Sequence, residues 1–131
     1  IETFHKLKQR VILQEFVAEA KGADIRVLIV DDKITGSMKR QARTGEFRSN
    51  LHRGGNSTVV RLTEAEAYAA KQAAKIMGLD VCGVDMLRSN KGPLILEVNA
   101  SPGLEGIETT TKIDIAGKII QFCERNAEIK A

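Results

Sequence analysis

The chain has 131 residues and a mass of 14.3 kDa, which is enough polypeptide for one domain with its own core. This length excludes a miniprotein that depends on disulfides or a metal ion for its stability. Its 20 Lys and Arg residues against 17 Asp and Glu residues give a net charge of +3, too small an excess to indicate a nucleic-acid or acidic-membrane partner. Hydrophobic residues at 43% and charged residues at 28% are near globular averages, so the composition excludes a disordered or fibrous chain.

Three features predict where the protein resides. No apolar run approaches the roughly 20 residues that a membrane-spanning helix needs. Neither a basic nor an apolar segment follows Ile1, so we predict no secretory signal and a start within a longer protein. Cys82 and Cys123 lack C-x-x-C spacing, which favours two buried thiols in a reducing compartment over a disulfide or a metal site. We therefore expect a cytoplasmic protein without a membrane partner.

The first part of the chain is predicted to contain three strands and a long loop. Residues 11–16 and 24–30 are rich in β-branched side chains and are predicted strands. The second of these should form a hairpin with residues 34–43, because the Asp-Asp-Lys sequence at 31–33 is typical of a turn. Residues 44–56 hold three glycines and no apolar period, which predicts a loop, and loops of this length usually carry function.

A short strand over residues 57–62 and a helix are predicted next. Residues 63–66 form a capping box, in which the Thr63 hydroxyl and the Glu66 carboxylate each satisfy a backbone amide at the start of the helix. The helix should end near Met77, since Gly78 can take the left-handed conformation that ends helices. The face expected to pack on a sheet comprises Ala65, Ala69, Ala73 and Ile76.

The last part of the chain is predicted to be a second hairpin, a loop and a helix. Strands over residues 80–88 and 94–99 are joined by a turn at 89–93, and a loop of small residues at 100–106 precedes a helix over 114–127. The apolar stripe of that helix comprises Ile115, Ile119, Phe122 and Cys123. Together these elements predict an α+β fold, an antiparallel sheet with flanking helices.

The register of the second hairpin brings two carboxylates together. A turn centred on Lys91 places Arg88 opposite Leu94 and Asp85 opposite Glu97. Directly opposed side chains share a face, with Cβ atoms about 4.5 to 5.5 Å apart, and like charges at that distance destabilise the sheet. Something must therefore offset the repulsion between these two acids.

A divalent cation is one candidate for that role. Asn99 lies on the same face as Glu97, and Gly83 opposite it has no side chain to obstruct the space. Two carboxylates and an amide are oxygen ligands that suit Mg²⁺, which is usually shared with a phosphorylated ligand. The alternative is that Asp85 and Glu97 are two solvated carboxylates on an exposed sheet face, with the register shifted by one residue.

Two segments resemble the ATP-grasp superfamily, namely residues 81–86 with the motif G-V-D and residues 96–106 with E-V-N-A-S-P-G-L-E-G. The combination is similar to RimK-like ligases and specific for them, whereas E-x-N alone would be a weak signal. The resemblance extends over about residues 11–127. It implies that residues 1–131 form a single domain, the C-terminal half of an ATP-grasp, lacking the N-terminal domain and the upstream grasp lobe of such enzymes.

The resemblance also implies a metal and nucleotide site. Asp85, Glu97 and Asn99 would be ligands of two Mg²⁺ ions, for which Mn²⁺ can substitute. Arg40 would face the triphosphate and steady the transferring phosphoryl group. On the residues alone, either Lys39 or Arg40 could pair with Asp24, depending on the turn register. Six residues are implied in ATP binding: Glu15, Phe16, Asp24, Arg48, Ser49 and Asn50. Of these, Glu15 and Phe16 would lie beside the adenine and Asp24 near the ribose.

The activity that the resemblance implies is that of a carboxylate–amine ligase. In such enzymes ATP converts a substrate carboxylate into an acylphosphate, an amine attacks it, and an amide, ADP and phosphate result. The implied amine is glutamate or a similar amino acid, and the implied acceptor is the C-terminus of a small-subunit ribosomal protein. Ligases for an amino-group carrier protein or a cofactor have similar motifs. We expect a homo-oligomeric parent, no direct contact with nucleic acid, and no turnover by this fragment alone.

Two other classes of function are open. A non-catalytic module that holds nucleotide or a protein partner would be expected to lack one of Asp85, Glu97 or Asn99, whereas all three are present. A purely structural α+β domain would show no response to Mg²⁺ with an ATP analogue. A P-loop enzyme is excluded, because the chain has no G-x-x-x-x-G-K-[ST] sequence.

Overall fold

The computed structural model describes residues 10–42 and 56–129. Within these ranges the chain forms one five-stranded sheet and three α-helices, preceded by a 3₁₀ turn at Ala18–Ala20. The strands are β1 (Ala23–Val30), β2 (Lys33–Gln41), β3 (Asn56–Val59), β4 (Val81–Ser89) and β5 (Gly92–Asn99). The helices are α1 (Glu64–Met77), α2 (Glu105–Thr111) and α3 (Ile115–Ile129). The predicted α+β fold with flanking helices is confirmed.

The sheet has the strand order β3-β2-β1-β4-β5, and every neighbouring pair is antiparallel. The predicted β1–β2 hairpin is confirmed. Its two turn residues, Asp31 and Asp32, both have positive φ angles, 56° and 57°. Such a turn matches the twist of the flanking strands, and Asp tolerates the left-handed conformation better than most residues do.

Helices pack on both faces of the sheet, and the alternation of side chains along β1 determines which residues each helix covers. Helix α1 covers the face formed by every second residue from Ile25; the core on that side comprises Ile25, Val27, Ile29, Cys82, Val84, Met86, Ala70 and Ala74. Helices α2 and α3 pack on part of the opposite face; the core there comprises Leu28, Val30, Met38, Ile107 and Ile115. Asp24 and Arg26 lie on this second face, at the end beyond Leu28.

The start and end of α1 agree with the prediction. Thr63 Oγ1 accepts a hydrogen bond from the Glu66 amide at 3.2 Å, and Glu66 Oε2 accepts one from the Thr63 amide at 2.8 Å. Gly78 ends the helix with a φ of 65°. Ala73 of the predicted sheet-facing side packs against the core, but the fully buried positions are Glu66, Ala70 and Ala74, and Ile76 is 81% exposed. The helix is rotated by one position, since Glu66 turns inward to pair with Arg88.

Glu66 should make stability sensitive to acid. Its carboxylate accepts hydrogen bonds from Arg88 Nε at 2.6 Å and Nη2 at 3.0 Å, and the Arg88 hydrogen bond holds the pKa of Glu66 below its usual value of 4.5. A carboxyl whose pKa is lower in the folded state stabilises the fold above about pH 4.5, and that stabilisation is lost as the pH falls through the folded-state value.

Glu66→Gln is therefore expected to lower the free energy of unfolding by about 1–3 kcal/mol at pH 7. Between pH 5 and pH 3 the free energy of unfolding of this variant should fall by less than that of the unaltered chain. Urea unfolding across this pH range tests the expectation. Glu64→Gln is the control, because Glu64 is exposed on the same helix and should change stability by less than about 0.5 kcal/mol. Equal acid sensitivity of both variants would contradict it.

The strand predicted over residues 11–16 is wrong. Residues 10–17 have no regular structure, and Ile12 is 90% exposed. The reason is that β-branched residues favour a strand only where a neighbouring strand pairs with them, and none of the described strands pairs with this segment. The Cys82 prediction is confirmed by its burial, which raises the pKa of its thiol, but Cys123 is exposed. Cys123 lies eight residues after the buried Ile115, about 80° around the helix from the core-facing line.

Two loop predictions have different outcomes. The long loop predicted at 44–56 lies outside the described residues, apart from Asn56, which begins β3. The loop predicted at 100–106 is shorter, because α2 begins at Glu105. None of the helices within the described ranges is long and apolar enough to cross a membrane.

Candidate active site

Five charged side chains lie together on the second face of the sheet, and we call them the charge row: Arg40, Asp24, Arg26, Asp85 and Glu97. They come from four adjacent strands. The register places Asp24 opposite Arg40, Arg26 opposite Asp85, and Asp85 opposite Glu97. Opposed residues of antiparallel strands share a face, so the backbone pairing itself brings these side chains together.

Arg40 joins two carboxylates at one end of the charge row. Its Nε donates to Asp24 Oδ1 at 2.7 Å and its Nη2 to Asp24 Oδ2 at 2.6 Å. The same Nη2 lies 2.8 Å from Asp85 Oδ2. Asp24 therefore pairs with Arg40, which resolves the choice that the sequence left open, because Lys39 lies opposite Ile25 on the other face.

Arg26 lies between Asp85 and Glu97. Its Nε donates to Asp85 Oδ1 at 2.7 Å and its Nη2 to Asp85 Oδ2 at 2.6 Å, and Nη2 also lies 3.9 Å from Glu97 Oε1. Asp85 is 3% exposed, whereas the side chain of Glu97 is 61% exposed. The repulsion expected between these acids is thus offset by an arginine, so repulsion alone does not require a metal ion.

Sequence reasoning missed Arg26, although a signal was present. Asp24 and Arg26 are two positions apart in a strand that is otherwise apolar, and side chains two apart on a strand share a face. Two charges of opposite sign on one face of a central strand indicate that further charged partners lie on the neighbouring strands, because buried charges are almost always paired.

The environment favours the charged forms of Asp85 and Arg40. Burial alone would raise the pKa of Asp85, but hydrogen bonds and attraction from Arg26 and Arg40 outweigh it and hold that pKa below its ordinary value. Burial alone would lower the pKa of Arg40, but Asp24 and Asp85 together raise it. Asp85 and Arg40 therefore act as fixed charges at neutral pH rather than as groups that exchange a proton.

The β4–β5 register agrees with the prediction where it bears on the site. Asp85 lies opposite Glu97, and Gly83 lies opposite Asn99. Nearer the turn the prediction is wrong by one residue, because Arg88 lies opposite Pro93 rather than Leu94. The turn consists of residues 90 and 91 alone, and a shift of register between Asp85 and Met86, in the manner of a β-bulge, restores the predicted pairing beyond it.

The space beside Gly83 is filled rather than free. A Cβ atom at Gly83 would lie 2.9 Å from the Cβ of Pro102, so the glycine permits the loop after β5 to lie against the sheet. Asn99 holds the start of that loop, since Asn99 Oδ1 accepts a hydrogen bond from the Ser101 amide at 2.9 Å. The glycine and the asparagine together fix the loop next to the charge row.

Gly83→Ala is expected to push this loop away and to lower the free energy of unfolding by about 1–3 kcal/mol, because a proline ring cannot turn aside as a flexible side chain can. Gly36→Ala is the matched control on the same face, where the nearest side-chain atom is 3.5 Å from the added Cβ, an ordinary contact distance. Thermal unfolding of both variants measures the difference, and equal midpoints would contradict the role given to Gly83.

The donor chemistry at the end of the charge row fits a divalent cation. The described residues contain no cluster of three or more His, Cys, Asp or Glu side chains suited to a metal, so the candidate set is two carboxylates and the Asn99 amide. Asp85 accepts three guanidinium hydrogen bonds, and a carboxylate can accept about four. Glu97 is largely exposed. Oxygen acceptors with remaining capacity are what Mg²⁺ takes from proteins.

The remaining predicted site residues lie elsewhere. Glu15 and Phe16 are exposed in the irregular segment 10–17, and Arg48, Ser49 and Asn50 lie outside the described residues. A groove of about 270 Å³ opens beside Asp24, and three cationic side chains line it: Lys21, Lys39 and Arg88.

Comparisons with known proteins agree on one family. The family model of the RimK-like ATP-grasp domain matches residues 1–123. A probable alpha-L-glutamate ligase of Ectopseudomonas mendocina (strain ymp) is 62% identical over 128 residues, which are 98% of this chain and 42% of that protein. A protein of the same description from Hydrogenovibrio crunogenus is 58% identical, with the same coverage. The chain thus spans about two fifths of the length of these relatives.

Two solved structures show the fold. D-alanine–D-alanine ligase from Bacillus anthracis complexed with ATP has a TM-score of 0.69 at 21% identity, covering 99% of this chain and 46% of that one. The ATP-grasp ligase PsnB complexed with minimal precursor has a TM-score of 0.63 at 25% identity, covering 83% of this chain and 34% of that one. The sheet and helices described above are therefore those of an ATP-grasp.

Proposed function

Since this chain belongs to the RimK-like ATP-grasp family, we propose that it is the C-terminal ATP-grasp portion, as a single domain, of a longer cytoplasmic carboxylate–amine ligase that uses ATP and Mg²⁺. The observation that carries the proposal is the register that sets Asp85 opposite Glu97 within the charge row. The names of the relatives, probable alpha-L-glutamate ligases, support glutamate as the amine.

The proposed reaction has two steps. The γ-phosphoryl group of ATP passes to a substrate carboxylate to give an acylphosphate and ADP, and the amine of glutamate then displaces phosphate to form an amide. In phosphoryl transfer a protein acts chiefly by positioning the reactants and neutralising charge. Arg40 suits this role, because Asp24 and Asp85 hold its guanidinium in place from two sides and keep it charged.

We assign Asp85, Glu97 and Asn99 as the residues that would hold Mg²⁺, as two ions for which Mn²⁺ can substitute. When bound, the metal neutralises charge on the phosphate oxygens. Arg26 orients Asp85 through two hydrogen bonds. Asp24, which the resemblance places near the ribose, lies on the same face as these ligands and holds Arg40.

Further nucleotide contacts are proposed for residues outside the charge row. On the family resemblance, the adenine would lie beside Glu15 and Phe16. The resemblance also assigns nucleotide contacts to Arg48, Ser49 and Asn50. The acceptor we favour is the C-terminus of a small-subunit ribosomal protein, and the parent enzyme would be a homo-oligomer. An amino-group carrier protein or a cofactor is the second candidate acceptor.

The test uses the complete ligase with ATP, Mg²⁺, glutamate and each candidate acceptor. ADP release that depends on the acceptor, together with glutamyl additions detected by mass spectrometry, is the expected result. A non-catalytic module would bind nucleotide without releasing ADP. A purely structural domain would show no rise in its unfolding midpoint with Mg²⁺ and a non-hydrolysable ATP analogue, because only a ligand of the folded state raises that midpoint.

A further inference from the structure

Arg26 stands between the two acids of the candidate metal site. It makes both of its hydrogen bonds to Asp85, and its Nη2 is the charged nitrogen nearest to Glu97 among the described ion pairs, at 3.9 Å from Oε1. Its side chain is 15% exposed, so the guanidinium lies at the boundary between the buried part of the charge row and solvent. The guanidinium of Arg26 therefore contacts the same carboxylate oxygens that a bound cation would use.

The formal charge of the row is nearly balanced. It contains three carboxylates, on Asp24, Asp85 and Glu97, and two guanidiniums, on Arg26 and Arg40, which leaves a net charge of −1. Without Arg26 the net charge would be −2. Asp85 would lose one of its two guanidinium partners, and Glu97 would lose its partner among the described ion pairs. A cation's affinity for such a site depends steeply on this charge, because the groups are only a few ångströms apart.

We infer that Arg26 is a built-in counter-ion that keeps the site from capturing a free divalent cation, so that the cation binds only together with nucleotide phosphates. This inference rests on the proposed function. A cation arriving alone must compete with a guanidinium for the oxygens of Asp85 and meets its positive charge. A cation that arrives with a nucleotide brings phosphate charge, which offsets the guanidinium and supplies further oxygen ligands.

Arg40 does not have this role, although it also contacts Asp85. Its Nε and Nη2 are both committed to Asp24, and its side chain is 10% exposed. The described ion pairs of Arg40 do not include Glu97, whereas those of Arg26 include both Asp85 and Glu97. The charge that a metal ion would first meet is that of Arg26.

The test is a Mn²⁺ titration of the complete ligase with and without ADP, followed by the electron paramagnetic resonance signal of free Mn²⁺. The same titration of ADP without enzyme is subtracted, because ADP itself binds Mn²⁺. The unaltered enzyme should bind Mn²⁺ weakly alone and at least about tenfold more tightly with ADP. Arg26→Met should bind Mn²⁺ without nucleotide at least about tenfold more tightly than the unaltered enzyme does. Arg26→Lys keeps the charge and should behave like the unaltered enzyme.

The control is Arg125→Met, which removes one positive charge from an exposed pair with Asp31 in the β1–β2 turn and should leave Mn²⁺ binding unchanged. Arg26→Gln, which can still donate a hydrogen bond to Asp85, replaces Arg26→Met if the latter does not fold. Unchanged Mn²⁺ binding in a folded, uncharged variant, or tight binding by the unaltered enzyme without ADP, overturns the inference alone. Failure of the unaltered enzyme to bind Mn²⁺ even with ADP overturns the proposed metal site as well.

Discussion

Glu97→Gln in the complete ligase is expected to lower the rate of ATP-dependent ligation by roughly a thousandfold while leaving the fold intact. The loss follows from the proposed metal site, since an amide oxygen carries no charge and a metal ion can supply several kcal/mol of charge stabilisation to phosphoryl transfer. The fold should survive because the Glu97 side chain is 61% exposed and its ion pair with Arg26 is long, at 3.9 Å. Such pairs contribute about 0–1 kcal/mol.

The measurements are steady-state ADP release and the thermal unfolding midpoint of the same preparations. Glu64→Gln serves as the control, because it makes the same chemical change at an exposed carboxylate on helix α1. Full activity is expected for the control variant. Rates in Glu97→Gln that equal those of the unaltered enzyme would remove Glu97 from the metal site and leave the proposed mechanism without its ligand set.

The parts of the fold that were predicted well depend on neighbours in sequence. The capping box of α1 needs only Thr63 and Glu66, and the β1–β2 hairpin needs only a turn between two β-rich segments. The pairing of Asp85 with Glu97 follows in the same way from a short turn and the alternation of side chains. Interactions of this range can be deduced from spacing alone.

The parts that were not predicted depend on residues distant in sequence. The rotation of α1 is set by Glu66 meeting Arg88 on β4, and the exposure of residues 11–16 reflects the absence of a pairing strand among the described residues. Arg26 and Asp85 are 59 positions apart, so no local pattern joins them. Their contact follows only from the order of strands in the sheet, which periodicity does not specify.

The charge row also changes the physical argument for the site. Opposed carboxylates were a reason to expect a metal ion, yet two arginines already stabilise them. The case for Mg²⁺ therefore depends on donor chemistry and on the family to which the chain belongs, rather than on uncompensated repulsion. The two arginines fix the Asp85 carboxylate before any ligand arrives, which is the kind of pre-organisation that the proposed phosphoryl transfer requires.

The same pairing predicts that Arg40→Met is costly to stability. Arg40 is the described partner of Asp24, both residues are buried, and it is one of two cations on Asp85. Removing one partner of a buried pair leaves an uncompensated charge and is expected to lower the free energy of unfolding by about 3–5 kcal/mol at pH 7. Arg125→Met should cost no more than about 1 kcal/mol, because its pair with Asp31 is exposed.

The pH dependence separates this charge effect from lost packing. The pKa of Asp85 lies below its usual value of 3.8 in the folded state, so pairing stabilises the chain above that value and the stabilisation is lost as the pH falls through the folded-state pKa. The stability difference between Arg40→Met and the unaltered chain should therefore narrow between pH 5 and pH 3 in urea unfolding. A difference that stays constant over this range would mean that the arginine acts through the packing of its aliphatic stem, not through its charge.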